Sequence, residues 1–401
     1  MKVLVADKFE QSGLDGLAYL GAEVLYEPTA KDETLARLLK ESQASILVVR
    51  STKVTKAIIE AANLSVIIRA GAGVNTIEID AASQNGVRVT NCPGKNSHAV
   101  AELAFGLIIA CDRHIPDNVI SLRSGKWEKG RFSEGRGLYG RTLGLMGLGR
   151  VSQEMIPKAR AFGMNVVAHS RWMTPDIAAA LGIGRASNVL ELAAMSDVVS
   201  VHVALTPETE RVMNAEFFTA MRPHSIFVNT SRAEVVDQKA LVEAVKTKGI
   251  LAGLDVFDGE PAGATGTYTG ELKELDQVYC THHIGASTGQ AQEAIAAEVV
   301  RIVKEFKTTG TVPNVVNVRA ADAATHLVVV RHLDRVGVLA HVLGVLKDEG
   351  VNVQEMENIV LGGAKAAIAQ ISVSKEPSPQ AVLAIKLNEN IFDCSVIPMT
   401  R

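Results

Sequence analysis

Thr142-Leu-Gly-Leu-Met-Gly-Leu-Gly-Arg-Val-Ser152 decides the architecture of this 401-residue chain. A strand-like run, Thr142–Met146, meets two glycines, and a helical pattern over Val151–Phe162 follows at once. Strand, turn and helix in that order suit a dinucleotide pyrophosphate. Gly147 permits the tight turn, Gly149 lets backbone approach the anion, and the helix N-terminus offers free N–H groups and a favourable dipole. Ser152 stands where the fingerprint has its third glycine. It is small enough for the helix to pack on the strand, with some loss of closeness.

The next strand, Asn165–His169, ends about 20 residues further on, where an acid would hold the adenosine ribose. The chain has His169-Ser170-Arg171 there. No carboxylate repels a 2′-phosphate, and a hydroxyl with a guanidinium can bind one. Ser170 and Arg171 are therefore cofactor candidates, with NADP expected. The alternative leaves Arg171 solvated and NAD as the cofactor.

Outward from this turn, short β-branched runs alternate with helical spacing, which predicts βα units and parallel sheets. Strands are expected at Val3–Ala6, Ile46–Val49 and Val66–Arg69, and a long helix at His98–Asp112. Later strands fall at Val198–His202, Ser225–Asn229, Leu251–Asp255 and Val278–Cys280. Residues 262–276, rich in glycine and small polar residues, read as a surface loop. A helix over Gln290–Lys307 should return the chain to its first domain.

From His326 the grammar becomes βαββαβ, a ferredoxin-like unit. The fold class is thus α/β, with two doubly wound parallel-sheet domains. A Rossmann cofactor domain (96–287) is inserted in a flavodoxin-like substrate domain (1–95 and 288–318). A linker (319–325) and the small C-terminal domain (326–401) follow.

Composition excludes several classes. The chain is 47% hydrophobic and 21% charged with a net charge of −3, which leaves no nucleic-acid or membrane-surface footprint. No apolar run approaches the roughly 20 residues that span a bilayer, and the N-terminus does not read as a signal peptide. Four cysteines without a C-x-x-C pair indicate reduced thiols and a cytoplasmic location. The histidines lack metal-ligand spacing, so no metal is expected.

Three further motifs carry polar residues: Asn-Thr-Ser-Arg-Ala-Glu-Val-Val-Asp (229–237), Leu-Asp-Val-Phe-Asp-Gly-Glu-Pro (254–261) and His-His-Ile-Gly-Ala-Ser-Thr (282–288). A cation, a carboxylate and an imidazole beside a nicotinamide site suit hydride exchange with a 2-hydroxy acid. His283 would move the hydroxyl proton, since an imidazole titrates near working pH. Glu260 would orient the ring and raise its pKa. Arg232 would pair with the substrate carboxylate. Asp255, at a strand end, is placed to accept from the nicotinamide amide.

These motifs resemble the D-isomer-specific 2-hydroxyacid dehydrogenase family. The resemblance implies that Arg232, Glu260 and His283 are catalytic. It also implies that Gly149, Arg150 and Val151 form the pyrophosphate turn, with Thr206 and Asp255 at cofactor-contacting positions. The family usually has proline where His282 stands. Arg50-Ser-Thr-Lys53 and Arg69-Ala-Gly-Ala-Gly-Val-Asn75 resemble the branch that oxidises 3-phosphoglycerate towards serine, and Cys-Pro-Gly-Lys-Asn-Ser (92–97) resembles the Asn-x-Pro-x-x-Asn-Ser segment near the interdomain hinge. That implies substrate contacts from Arg50, Ser51, Lys53, Arg69, Ala72, Gly73 and Asn96, with backbone N–H groups offered at Gly71 and Gly73. A reductase of hydroxypyruvate or glyoxylate is the alternative. The C-terminal unit resembles an ACT domain, with His332, Asp334 and Asn352 as implied contacts for L-serine or another amino acid. Asp334 stands where serine-inhibited relatives have asparagine. A homodimer or homotetramer is expected.

Overall fold

Ile46-Leu-Val-Val49 is buried at every position, as expected of a parallel strand covered on both faces. The computed structural model describes residues 1–261, 265–318 and 324–399. The chain divides into two units, Met1–Asn317 and Val318–Arg401.

The first unit begins with five parallel strands: β1 (Lys2–Val5), β2 (Glu23–Tyr26), β3 (Ile46–Val49), β4 (Val66–Arg69) and β5 (Arg88–Asn91). Their order is β2-β1-β3-β4-β5, the flavodoxin-like arrangement. Between them run α1 (Gln11–Tyr19), α2 (Asp32–Ser42), α3 (Lys56–Glu60) and α4 (Ile79–Gln84). The sequence reading named neither β2 nor β5. The first is a half-exposed edge and the second is the polar run Arg88-Val-Thr-Asn, so neither shows a buried apolar signature.

After α5 (Ser97–Arg113) and α6 (Ile115–Arg123) the second sheet is built. Its strands are β6 (Thr142–Met146), β7 (Asn165–His169), β8 (Gly184–Arg185), β9 (Val198–Val201), β10 (Ile226–Asn229), β11 (Leu251–Leu254) and β12 (Val278–Cys280). They lie in the order β12-β11-β10-β9-β6-β7-β8, which is the Rossmann order with one extra strand. The intervening helices are α7 (Arg150–Ala161), α8 (Pro175–Leu181), α9 (Val189–Met195), α10 (Ala215–Ala220) and α11 (Gln238–Lys248). Residues 262–276 are not wholly a loop. Glu271–Glu274 makes a 3-10 turn that buries Leu272, while 262–264 lie outside the described residues.

Helix α12 (Gly289–Thr309) carries the chain back. Its Ile295, Val299, Ile302 and Val303 pack with Val3, Val5, Ile46 and Val48 of the first sheet. No helix among the described residues is long and apolar enough to cross a membrane.

In the second unit β13 (His326–Leu333), α13 (Val338–Asp348), β14 (Val353–Val360), β15 (Ala366–Val373), α14 (Pro379–Lys386) and β16 (Ile391–Pro398) follow the βαββαβ order. The sheet is antiparallel, β14-β15-β13-β16. Val328, Val330, Ala369 and Ile371 face Val342, Leu346 and Ile385 in its core. Residues 319–323 of the expected linker lie outside the described residues. Thr325 is already bonded to the sheet, donating to Val373 O and accepting from Met399 N.

Candidate active site

In doubly wound sheets ligands sit beyond the C-terminal strand ends, at the point where strand order reverses. The first sheet reverses between β1 and β3, and the second between β6 and β9. The polar residues of the first unit singled out from sequence cluster at such ends: Arg50 after β3, Arg69 closing β4, Ser170 and Arg171 after β7, Arg232 after β10, Asp255 after β11 and His283 after β12.

A cleft of about 830 Å³ opens beside β6, lined by Gly147, Gly149, Ser170, Arg171 and Thr206 among others. Gly147 has φ +95°, and a Cβ there would lie 2.8 Å from the His202 carbonyl oxygen, so only glycine fits. Gly149 caps α7, and among the described residues no side-chain hydrogen bond closes that helix end. Ser152 is wholly buried, and its hydroxyl donates to the Gly147 carbonyl at 2.9 Å. The serine thus ties the turn to the helix instead of loosening it. These features fit a dinucleotide.

Arg150 is placed elsewhere. Its side chain lies over Gly94, where a Cβ would come within 2.2 Å of Arg150 Cδ. Val151 lines a neighbouring cleft. The Arg171 guanidinium is 5.1 Å from the Trp172 ring centroid. Glu208 lines the same cleft, its carboxyl held below the usual range by the Thr206 hydroxyl first and, more weakly, by Arg171.

His283 Nδ1 lies 2.8 Å from Glu260 Oε2, and Glu260 Oε1 accepts from Phe257 N at 2.9 Å. The hydrogen bond from Glu260 raises the His283 pKa; burial and the nearby Arg232 charge oppose it. His283 sits at φ +53°, a conformation uncommon for residues other than glycine. His282 beside it is exposed. The loop is held by Asp255, which is only 1% exposed. Its Oδ1 accepts from Thr281 Oγ1 at 2.6 Å and Ile284 N at 2.9 Å, and its Oδ2 from Gly285 N at 2.8 Å. The structure therefore gives Asp255 the task of fixing the strand end that carries His283.

Arg232 is held from behind by Asn229, which donates to the Arg232 carbonyl at 2.8 Å and accepts from Ser231 N at 3.0 Å. The guanidinium covers Gly73, where a Cβ would lie 2.0 Å from Nη2. Below it is a cleft of about 500 Å³ lined by Ala72, Gly73, Asn96, Val151, His202 and Arg232 among others.

Arg69 Nε is buried and has no hydrogen-bond partner among the described residues. Burial lowers the Arg69 pKa to about 10; the charges of Arg232 and Arg50 push the same way, while Cys92 and Asp7 oppose. Gly71 sits at φ +150°, a conformation that favours glycine, and the Arg69 guanidinium lies over it, 1.6 Å from where a Cβ would be. Its own N–H is not offered to a ligand as expected, since it bonds Arg69 O at 2.8 Å. Ser51 and Lys53 are exposed and Arg50 is half-buried.

Three residues passed over in sequence complete the frame. Asp7 binds the turn after β3, and Asn229 backs Arg232. Glu298, 5% exposed, bonds Arg301 at 2.7 Å, Lys95 at 3.3 Å and Asn314 at 3.0 Å. Arg301 first, then Lys95, hold its pKa at about 2 against the cost of burial. Asp7 follows a strand and Asn229 ends one, which was the signal available; Glu298 sits in a helical pattern and gave none.

In the second unit His332 is 1% exposed, with Nδ1 2.8 Å from Leu333 O and Nε2 3.1 Å from Asn358 Oδ1. His332 pairs with Ala367, whereas Asn352 precedes Val353, which pairs with Val373. Six rungs separate those levels, roughly 20 Å at strand rise. Asp334 is exposed and near the His332 end. The expected effector residues are thus not brought together within one chain.

Residues 105–285 match the family model for the NAD-binding domain of D-isomer-specific 2-hydroxyacid dehydrogenases. A hydroxypyruvate reductase from Thermotoga maritima is 42% identical over 71% of this chain and 91% of its own length. A D-3-phosphoglycerate dehydrogenase from Methanocaldococcus jannaschii is 38% identical over 79% of this chain, which spans 59% of that relative. Among solved structures, the NAD⁺-bound 3-phosphoglycerate dehydrogenase of Entamoeba histolytica superposes with a TM-score of 0.66 at 27% identity, covering 80% of this chain and 99% of that one. The chain belongs to the D-isomer-specific 2-hydroxyacid dehydrogenase family.

Proposed function

We propose that this protein oxidises D-3-phosphoglycerate to 3-phosphohydroxypyruvate, and runs the reverse reduction, with NAD or NADP. One observation carries the choice of substrate. Arg50 and Arg232 lie close enough to Arg69 for their charges to lower its pKa, and Arg69 Nε is buried without a hydrogen-bond partner among the described residues. A substrate bearing only a carboxylate uses one such cation. A carboxylate and a phosphate together use all three.

When bound, the nicotinamide supplies hydride acceptance and donation. The chain's own residues do the rest. Neutral His283 takes the C2 hydroxyl proton during oxidation and returns it to the carbonyl oxygen during reduction. Glu260 holds the ring through Nδ1, which leaves Nε2 for the substrate. Arg232 orients the carboxylate and polarises the C2 oxygen, while Asp255 keeps the His283 loop in place. Gly147, Gly149 and the backbone N–H groups of Arg150 and Val151 at the start of α7 would hold the pyrophosphate, and Ser170, Arg171 and Thr206 the adenosine side. Ser51, Lys53, Ala72, Gly73 and Asn96 would complete the substrate cleft.

On this reading residues 1–95 with 288–318 form the substrate domain, 96–287 the cofactor domain and 326–401 an ACT domain. The βαββαβ order and antiparallel sheet of the second unit support the last assignment. An effector that touches both His332 and Asn352 has to be shared between two copies of the chain, in keeping with a homodimer or homotetramer.

A second reading, reduction of hydroxypyruvate or glyoxylate, is favoured by the Thermotoga relative and by the His169-Ser170-Arg171 run. Rates with phosphohydroxypyruvate, hydroxypyruvate and glyoxylate decide between them. The first reading expects the phosphorylated acid to be preferred and Arg50→Ala to lose that preference selectively. Equal rates on all three acids contradict it.

A further inference from the structure

Asp7 follows β1 at the reversal point of the first sheet and is 8% exposed. Its Oδ2 accepts from the backbone N–H groups of Arg50 at 2.7 Å, Ser51 at 3.0 Å and Thr52 at 3.0 Å. Its Oδ1 accepts from the Ser51 and Thr52 hydroxyls, both at 3.1 Å. Successive N–H groups converging on an anion form a nest that commonly holds a ligand's phosphate. Here a carboxylate of the chain fills it. The N–H groups of the turn are spent on Asp7, so a substrate anion depends on the side chains the turn presents.

We propose that Asp7 is a positioning residue: it fixes the 50–53 turn so that Arg50 and Lys53 present their charges to the substrate's phosphate. The proposal rests on the reading that this cleft takes a phosphorylated hydroxy acid.

Charge and geometry make opposite demands of Asp7, which is what makes the idea testable. A negative charge at the Arg50 turn and within reach of Arg69 weakens the positive field seen by an anion. If that were its whole effect, Asp7→Asn would tighten substrate binding. If Asp7 sets the turn, the same variant loosens it: with the amide oxygen on the N–H groups of residues 50–52, its NH2 meets the Ser51 and Thr52 hydroxyls that donate to Oδ1, and the remaining bonds lose their charge assistance.

The test is steady-state kinetics of the wild type, Asp7→Asn and Thr52→Val on phosphohydroxypyruvate, hydroxypyruvate and glyoxylate. Asp7→Asn is expected to raise KM for phosphohydroxypyruvate about tenfold, from the loss of charge-assisted hydrogen bonds. Thr52→Val, which deletes one hydroxyl donor, raises it less. In both, kcat, cofactor KM and KM for the two unphosphorylated acids hold within about twofold. An unchanged or lowered KM for phosphohydroxypyruvate overturns the proposal. A wild type without preference for the phosphorylated acid defeats the functional reading instead. Asp7 is then judged on the unphosphorylated acids: a raised KM upholds its control of the turn, and an unchanged one overturns it. Should Asp7→Asn fail to fold, an unchanged KM in Thr52→Val overturns the proposal alone.

Discussion

Glu260 grips His283 through one carboxylate oxygen, 2.8 Å from Nδ1, and the Phe257 N–H through the other, at 2.9 Å. The acid is thereby fixed to its own turn, and the imidazole is fixed to the acid.

The pH dependence follows from that pair. Glu260 raises the His283 pKa. Oxidation uses the neutral ring, so its kcat/KM climbs as pH rises through this pKa; reduction uses the imidazolium and declines over the same range. In Glu260→Gln both limbs are expected to move to lower pH, because the raising influence is gone. Profiles of kcat/KM in each direction check this, and unmoved limbs contradict it.

Cofactor choice is expected to depend on Arg171. It lines the cleft next to Ser170, with Glu208 within reach of its charge. Arg171→Ala should lower kcat/KM with NADP about tenfold or more, from the loss of a charge-assisted phosphate contact, and leave NAD within about twofold. Wild type that strongly prefers NAD, unchanged in the variant, contradicts the assignment.

Gly73→Ala tests how closely Arg232 must be placed. The added Cβ would meet Arg232 Nη2 at 2.0 Å, the mobile end of a side chain and not backbone. The guanidinium yields and the fold is kept. Turnover is expected to fall by about 10-fold to 100-fold, as misplacement of a reacting group commonly costs, with little change in Tm. Full activity in this variant would show that Arg232 tolerates displacement.

Glu298 ties the 92–97 segment to α12 through Lys95 and pairs with Arg301 along its own helix. Its pKa is held at about 2, below the ordinary 4.5. A depressed carboxylate stabilises the fold above its unfolded pKa, and that contribution is lost as pH falls through the folded value. Glu298→Gln should therefore cost about 1–2 kcal/mol near neutral pH, less than the full shift because Lys95 and Arg301 are partly solvated, with the gap to wild type closing between roughly pH 4.5 and 2. Urea midpoints at several pH values measure it, and a gap independent of pH contradicts the linkage.

Much of this was legible in the chain, for identifiable reasons. Gly147 and Gly149 sit between a strand and a helix because only that context makes a paired-glycine turn useful, and the structure keeps the order. Buried apolar runs such as Ile46–Val49 declare themselves. Glu23–Tyr26 and Arg88–Asn91 did not, since an edge strand and a polar strand lack that pattern. The motifs around Arg232, Glu260 and His283 singled these residues out as a joint toolkit, yet their supports were hidden. Asp7, 43 residues from Arg50, meets it only because β1 and β3 are adjacent. Asp255 was read as a cofactor acceptor when its visible partners are Thr281, Ile284 and Gly285. His332 and Asn352 looked like one site in sequence, and antiparallel pairing sends them to opposite ends of a sheet.

The turnover number of His283→Gln with phosphohydroxypyruvate and reduced cofactor tests the central claim most directly. Glutamine keeps a polar side chain but cannot pass a proton. The expected result is a fall in kcat of about 10²-fold to 10⁴-fold, with cofactor binding intact; turnover equal to wild type would contradict the account.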